Sequence, residues 1–298
     1  MLTFRPGHPG DARAAFDVFE PTIDHLSARV GGTGNATAGD PAAWDRRRPL
    51  FEHLGATGDQ FWFAEEDSRV VGYARSIVRG NVRELTEFFV LPDAQGGGIG
   101  RGLIERARPM DGLSRTIIAT AELPAIARYL KAGIVGRFPI YAFTRAPEVV
   151  QAPTDLKREP LTMDAATLDE LALIDEPILE FRRDVDHRWL AGQRRGTAYR
   201  RAGRIVAYGY HPTAVGWGGP FAAERPADLP VLLADAETAA AEAGQSEIAF
   251  DVPLVNAAAV AHLVERGYRL DPFHMLFLSD REPGRFERYV LCGPPFFA

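Results

Sequence analysis

The sequence is short of cysteine, of basic charge and of long hydrophobic runs. Cys292 is the one cysteine in 298 residues, which excludes an internal disulfide framework and a thiolate zinc site and fits a reducing compartment. No run of eighteen apolar residues exists and the N-terminus has no apolar signal core, so we expect no membrane association. The net charge of −6 offers no basic field to nucleic acid, and the histidines show no metal-ligand spacing. These absences predict a cytoplasmic protein without a metal site.

The chain does contain a glycine-dense turn between an apolar strand and a helix. The strand ends at Phe88–Leu91, Pro92 follows, and a helix opens at Ile99. Amides without side chains can converge on phosphate oxygens, and the unpaired donors and dipole of a helix N-terminus favour the negative charge. The turn therefore predicts a pyrophosphate cradle.

Two other phosphate loops do not fit this turn. A Walker A loop would place Lys-Ser or Lys-Thr where Arg101–Gly102 stands, and a dinucleotide fingerprint would need glycine at Leu103. The pattern that remains is Gln-x-x-Gly-x-Gly after Val-x-Pro, filled by Gln95, Gly98 and Gly100. On these residues the chain resembles the acetyl-CoA loop of the GNAT superfamily of N-acetyltransferases.

The resemblance implies where acetyl-CoA would bind. In GNAT folds the pantetheine chain adds alongside the strand before the loop, so we expect a bulge near Phe89–Val90 that splays two neighbouring strands. The amide near Val90 would then polarise the thioester carbonyl. The residues expected to hold acetyl-CoA are Phe89, Val90, Leu91, Gln95, Gly96, Gly97, Gly98, Ile99, Gly100 and Arg101.

Three side chains are candidates for proton transfer. Tyr129 stands on a predicted helix where the family commonly keeps a tyrosine, and a phenol can protonate the departing thiolate. Glu84 and Glu87 both lie on the strand before the loop, and either could deprotonate the attacking amine through water. They differ by three positions and so face opposite sides of a regular strand. Because a bulge would shift this parity, both remain candidates.

Hydrophobic patterning predicts a similar order of elements in the two halves of the chain. In the first half it predicts strands near 2–5, 61–65, 70–78, 83–91 and 116–119, and helices near 11–29, 41–54, 99–108 and 124–132. The segment Val70–Ala74 recurs as Ile205–Gly209, 135 residues later. Such spacing indicates a duplication. We therefore predict an α/β (α+β) protein with a catalytic domain at 1–146, a linker at 147–156 and a degenerate domain at 157–298. Each domain should be a mixed, mostly antiparallel sheet flanked by helices.

The second half lacks the chemistry of the first. Glu224–Leu229 aligns with Gln95–Gly100 and contains no glycine, and Leu263 replaces Tyr129. Carboxylates at Glu224 and Asp228 would repel phosphate. We expect one cofactor site per chain, in the first half.

The resemblance implies an acetyl-CoA-dependent N-acetyltransferase with a small-molecule or peptide amine as acceptor. Direct attack in a ternary complex is expected, and the protein could form a homodimer. One alternative is a non-catalytic acyl-CoA-responsive binding protein, which would need neither Tyr129 nor Glu84. Another is a mycothiol synthase-like tandem acyltransferase, although in that group the second repeat carries the working site.

Overall fold

The computed structural model describes residues 1–30, 40–109, 111–211 and 217–292. The chain divides into two compact units, residues 1–117 and 118–298. Within the described residues, no helix is long and apolar enough to cross a bilayer.

The first unit is a sheet with helices on both faces. Its strands are β1 (Leu2–Pro6), β2 (Gly58–Glu66), β3 (Arg69–Arg79), β4 (Val82–Val90) and β5 (Ser114–Thr120), and its helices are α1 (Ala12–Val30), α2 (Ala43–Thr57) and α3 (Ile99–Ala107). β1 to β4 pair antiparallel in chain order, and β5 pairs parallel with β4. These elements confirm the strands and helices predicted for this part of the chain.

The alternation of side chains along the strands decides which helix covers which face. Phe89 of β4 contacts Phe19 of α1 with ring centroids 5.2 Å apart, so α1 lies on the face that carries Phe89. On the opposite face, Arg106 of α3 lies over the ring of Phe4, 4.2 Å from its centroid. α3 is the next α-helix after β4, so the glycine turn lies where the chain crosses from the sheet to this second layer.

The second unit holds a five-stranded antiparallel sheet, three antiparallel strands of another sheet, and five helices among its described residues. Its strands are β6 (Val135–Arg145), β7 (Lys157–Pro160), β8 (Gly196–Arg201), β9 (Arg204–Tyr210), β10 (Phe221–Ala223), β11 (Ile248–Pro253), β12 (Arg269–Ser279) and β13 (Tyr289–Val290). Its helices are α4 (Leu123–Lys131), α5 (Ala165–Leu179), α6 (Asp184–Gln193), α7 (Leu229–Glu242) and α8 (Ala257–Glu265). One sheet has the order β13-β10-β9-β8-β7, and in the other β6 lies between β12 and β11. The mostly antiparallel sheets flanked by helices are those of the predicted fold class.

The position of β6 explains where the chain divides. β6 precedes the predicted linker at 147–156, which contains no helix or strand. Both neighbours of β6 nevertheless come from the end of the chain, with Phe143 opposite Phe250 of β11 and Phe138 opposite Phe277 of β12. The boundary between the compact units, after residue 117, therefore lies ahead of the linker, because β6 pairs with β11 and β12 of the second unit.

Candidate active site

The turn after β4 takes a backbone shape that favours glycine. Gly96, Gly97 and Gly98 have φ of +112°, +55° and +86°. A Cβ built on any of these three residues would meet no atom within 4 Å. The left-handed backbone, and not crowding by the protein, is therefore what calls for glycine here. The three glycines form an open, exposed surface of backbone.

The N-terminus of α3 is left without a side-chain cap. Gly98 is its N-cap residue, and the first hydrogen bond of the helical type runs from the amide of Gly102 to the carbonyl of Gly98 at 3.0 Å. The amides ahead of Gly102 belong to the first turn, which has no intrahelical acceptor for them. Together with the helix dipole they make a favourable site for a phosphate group.

Two polar side chains of the predicted cradle lie on the surface. Gln95 is exposed, and its Nε2 is 3.4 Å from the carbonyl oxygen of Val90. Arg101 is exposed and forms an ion pair with Glu105 at 2.7 Å, one helical turn further on. Both side chains are close in sequence to the exposed glycines, so neither needs a distant element to position it.

One edge of β4 opens just before the turn. The parallel pairing with β5 runs from Val82 opposite Ser114 to Leu85 opposite Ile117 and then ends, while β4 continues to Val90. The amide of Leu91 donates to the carbonyl of Val71 at 2.9 Å. This bond makes Gly72 and Val90 a non-hydrogen-bonded pair, so the amide of Val90 points away from β3. Val90 therefore presents its amide to the edge that β5 has left.

A β-bulge lies at Thr86, three to four residues before the expected position near Phe89–Val90. Arg75 of β3 stands opposite Glu87 and the next residue, Ser76, stands opposite Leu85, so Thr86 is the extra residue. The Thr86 hydroxyl donates to the carbonyl of Arg75 at 3.0 Å. The bulge falls where the pairing of β4 with β5 ends, and it bends the strand there.

The bulge places Glu84 and Glu87 on the same face of the sheet. Glu84 is opposite Ile77 and Glu87 is opposite Arg75, two residues apart on β3. β4 is therefore not a regular strand between these two carboxylates, and the change of parity expected from a bulge is found here. One inserted residue moves each later side chain of the strand to the opposite face of the sheet. Both side chains are buried, Glu84 at 3% and Glu87 at 2% exposure.

Glu87 is part of a buried ion pair. The Tyr73 hydroxyl donates to Glu87 Oε1 at 2.8 Å, and the Arg75 guanidinium binds Oε2. Burial and the neighbouring Glu87 carboxylate raise the pKa of Tyr73 well above its ordinary value. Arg75 is fully buried, its Nη1 donates to the carbonyl of Phe51 at 3.1 Å, and it lies 4.6 Å from the ring centroid of Phe61. Both carboxylate oxygens of Glu87 are therefore engaged by buried protein groups.

The sequence reasoning did not identify this arginine. Arg75 is the only charged residue between Val70 and Val78, and a single charge inside an apolar strand was the available signal. A second group of charges lies nearby on the helices, where Glu20 and Asp24 of α1 act on Arg47 of α2. Burial lowers the pKa of Arg47 and raises that of Glu20.

Tyr129, the predicted acid, lies near the end of α4 and belongs to the second unit. Its side chain is 3% exposed. Its role as the acid remains a prediction.

The equivalent turn in the second half is shorter than the alignment suggested. The amide of Glu224 donates to the carbonyl of Val206 at 2.8 Å, as Leu91 does to Val71. A 3-10 turn at Pro226–Asp228 then matches the one at Pro92–Ala94, and α7 begins at once. Gln95–Gly98 therefore has no counterpart, and the alignment of Glu224–Leu229 with Gln95–Gly100 is wrong in its register.

The start of α7 carries an acid where α3 carries a glycine. Asp228 is its N-cap residue and is paired with Arg201 at 2.8 Å. In the part of the chain that the structure describes, no group of three His, Cys, Asp or Glu side chains could hold a metal ion.

Comparisons with known proteins agree with this geometry. Residues 57–133, which span β2 to the end of α4, match the family model of the acetyltransferase (GNAT) domain. No curated protein sequence matches the chain significantly. The family match confirms the resemblance read from Gln95, Gly98 and Gly100.

Solved structures with the same fold cover nearly the whole chain. A putative acetyltransferase from Pyrococcus horikoshii aligns with a TM-score of 0.68 at 16% identity, over 97% of this chain and 92% of its own. A GCN5-related N-acetyltransferase from Sphaerobacter thermophilus gives 0.61 at 14% identity, over 95% and 96%. A tandem GNAT protein from the clavulanic acid biosynthesis pathway gives 0.51 at 16% identity, over 94% and 98%. At these identities the likeness concerns the fold.

Proposed function

We propose that this chain is a tandem GNAT protein and that it transfers the acetyl group of acetyl-CoA to a primary amine. The support is the match of residues 57–133 to the acetyltransferase (GNAT) domain and the fold shared with a tandem GNAT protein. The observation that carries the proposal is the exposed glycine turn and uncapped helix N-terminus beside the open edge of β4. The first half would be catalytic. The domain boundary would fall within 147–156, although β6, which precedes it, pairs with β11 and β12.

The residues of the turn and of β4 fit acetyl-CoA. The amides of Gly96–Gly98 and those of the helix turn after Ile99 would bind the pyrophosphate, and the space around the three glycines is free of protein atoms within 4 Å of a built Cβ. The open edge of β4 at residues 86–90 would pair with the amides of the pantetheine chain. Bound acetyl-CoA supplies a thioester carbonyl, and the amide of Val90 would donate to its oxygen as negative charge develops there.

Glu84 and Tyr129 would move the protons. An alkylamine has an ordinary pKa of about 10.4 and must lose a proton before it attacks, which Glu84 would accept through a water molecule. Tyr129 would donate its phenolic proton to the departing thiolate. Glu87 has a different part, because its ion pair with Arg75 holds β3 and β4 in register at the bulge.

The acceptor class rests on the family match of residues 57–133, and we propose a small-molecule or peptide amine. The charges on α1 and α2 do not select among acceptors, because Arg13, Arg46 and Arg47 lie among Glu20 and Asp24 there.

The proposal is tested by following free CoA thiol while acetyl-CoA is offered with amino acids, polyamines, aminoglycosides or amine-bearing peptides. We expect acceptor-dependent thiol release with at least one class, together with a mass increase of one acetyl group on the acceptor. Tight binding of acetyl-CoA without release for any acceptor would instead favour a non-catalytic acyl-CoA-responsive protein. A mycothiol synthase-like enzyme would work from the second half, and the missing counterpart of Gln95–Gly98 argues against that.

A further inference from the structure

The second half repeats the diverging strands of the first. In the first half, Arg83 of β4 pairs in parallel with Arg115 of β5 shortly before the strands separate. In the second half, Trp217 pairs in parallel with Ala249 of β11. Trp217 lies 134 residues after Arg83, and Ala249 lies 134 residues after Arg115. The chain then continues into β10, which corresponds to the last residues of β4. The second half therefore contains the same groove between two diverging strands.

The edge of β10 that faces this groove is occupied by the C-terminal strand. The bond from the Glu224 amide to the Val206 carbonyl makes Ala223 and Ala207 a non-hydrogen-bonded pair. The amides of Phe221 and Ala223 therefore point away from β9, as that of Val90 points away from β3. β13 pairs antiparallel with this edge, and Val290 lies opposite Phe221.

The opposite wall of the groove also binds the C-terminal segment. The amide of Leu291 donates to the carbonyl of Asp251 on β11 at 3.0 Å. Asn256, at the start of α8, donates through Nδ2 to the carbonyl of Tyr289 at 2.9 Å. Gly219 lies so close to the carbonyl of Leu291 that a Cβ there would overlap it. The segment is thus bonded to both strands that form the groove.

The side chains of the segment are as firmly held as its backbone. The Tyr289 hydroxyl accepts a hydrogen bond from the buried guanidinium of Arg183. Tyr289, Val290 and Leu291 are fully buried, and Cys292 is 3% exposed. An aromatic residue followed by two aliphatic residues therefore fills the groove with buried side chains.

We propose that the second half has kept this groove as a peptide-binding site whose ligand is the chain's own C-terminal strand, residues 289–292. The strand lies where acyl-CoA would bind in the first half. This analogy rests on the proposed function of the first half. The ligand chemistry is an extended peptide that donates and accepts main-chain hydrogen bonds on both sides. The measurements below do not need acyl-CoA turnover, so the two proposals can fail separately.

The first test weakens the bond to the strand and measures whether the strand detaches. Asn256 also caps α8, because its Oδ1 accepts from the amide of Ala259 at 3.1 Å. Asn256→Asp keeps a good cap but has no donor for the Tyr289 carbonyl. Cys292 is the only thiol in the chain, so its reaction with Ellman's reagent reports detachment. We expect labelling of Asn256→Asp to be about tenfold faster or more than in the wild type.

A matched control makes the opposite exchange at another helix. Asp164 caps α5 by accepting from the amide of Thr167 at 2.9 Å, and Asp164→Asn should leave the labelling of Cys292 unchanged. Labelling of Asn256→Asp at the wild-type rate would overturn the proposal.

The second test removes the strand. A chain that ends at Arg288 should unfold roughly 10 °C or more below the full chain, since the buried side chains of Tyr289, Val290, Leu291 and Cys292 are lost. A synthetic peptide of residues 287–292 should raise its Tm, and a scrambled peptide should not. Calorimetry with CoA should still give one site per truncated chain, because Asp228 stands where phosphate would bind. A truncated chain as stable as the full chain, or one that takes up a second CoA, would overturn the proposal.

Discussion

A pair of substitutions at Gly98 tests the phosphate site with a single charge. Gly98→Asp and Gly98→Asn introduce side chains of nearly the same size and shape. The residue has φ of +86°, and a Cβ there meets no atom within 4 Å. Asn and Asp both tolerate the left-handed region at a cost of about 1 kcal/mol, and both are good N-cap residues. The two variants should therefore fold with the same stability.

The variants differ in the charge that they bring to the phosphate groups. A carboxylate about 5 Å from a phosphate charge costs roughly 2 kcal/mol at an effective dielectric constant of about 40, which suits an exposed site. This corresponds to at least about tenfold weaker binding of CoA to Gly98→Asp than to Gly98→Asn. Because the turn is exposed, added salt should reduce the difference.

Isothermal titration calorimetry with CoA at low and high ionic strength measures both effects. Thermal unfolding without CoA serves as the control and should give equal Tm values for the two variants. Equal Kd values for Gly98→Asp and Gly98→Asn at low salt would refute the placement of pyrophosphate at the N-terminus of α3.

Four further predictions follow from the same structure. Tyr129→Phe should lower kcat roughly 10²-fold with little change in CoA affinity, since only a hydroxyl is lost. Glu84→Gln should lower kcat on a similar scale, whereas Glu87→Gln should cost about 3–5 kcal/mol of stability because Arg75 loses its buried partner. Burial raises the pKa of Asp251 in the folded chain to about 8. Between about pH 4 and pH 8 the unfolded chain therefore loses this proton while the folded chain keeps it, and the free energy of unfolding falls as the pH rises. Asp251→Asn should remove a penalty on the order of 4 kcal/mol at pH 7, seen as a smaller fall in Tm between about pH 5 and pH 8. Calorimetry of the wild type should give one CoA per chain.

Each of these predictions has an outcome that contradicts it. Wild-type turnover in Tyr129→Phe would leave that tyrosine a packing residue, and a larger loss of kcat in Glu87→Gln than in Glu84→Gln at equal stability would reverse the assignment of the base. The same pH dependence of Tm in Asp251→Asn and wild type would mean that the Asp251 carboxyl is solvated. Two equivalent CoA sites would contradict the degenerate second half.

The glycine turn could be predicted from sequence because its structure is local. Gln95–Gly100 needs only its own left-handed glycines and the start of the following helix, and both are encoded within a few residues. The fold class was equally accessible, since periodicity defines the strands and helices and the repeat at 135 residues indicates two similar halves.

The face of β4 on which Glu84 and Glu87 lie could not be predicted in the same way. Whether Glu84 and Glu87 share a face depends on one extra residue, Thr86, and a bulge is defined only by the register of a partner strand. The partner of Glu87 is Arg75, twelve positions away on β3, and only the hydrogen-bonded register brings them together. Residues that neighbour each other along the chain do not specify this register between two strands.

The exchange of strands between distant parts of the chain was also decided by tertiary structure. β6 precedes the linker in sequence, yet it pairs with β11 and β12. β13 comes from the end of the chain and fills a groove formed by β10 and β11. The sequence by itself determined the elements, the repeat and the glycine turn, because these depend on near neighbours along the chain. Which strand lies beside which was decided by backbone hydrogen bonds between residues far apart, and these bonds are the same for every amino acid except proline.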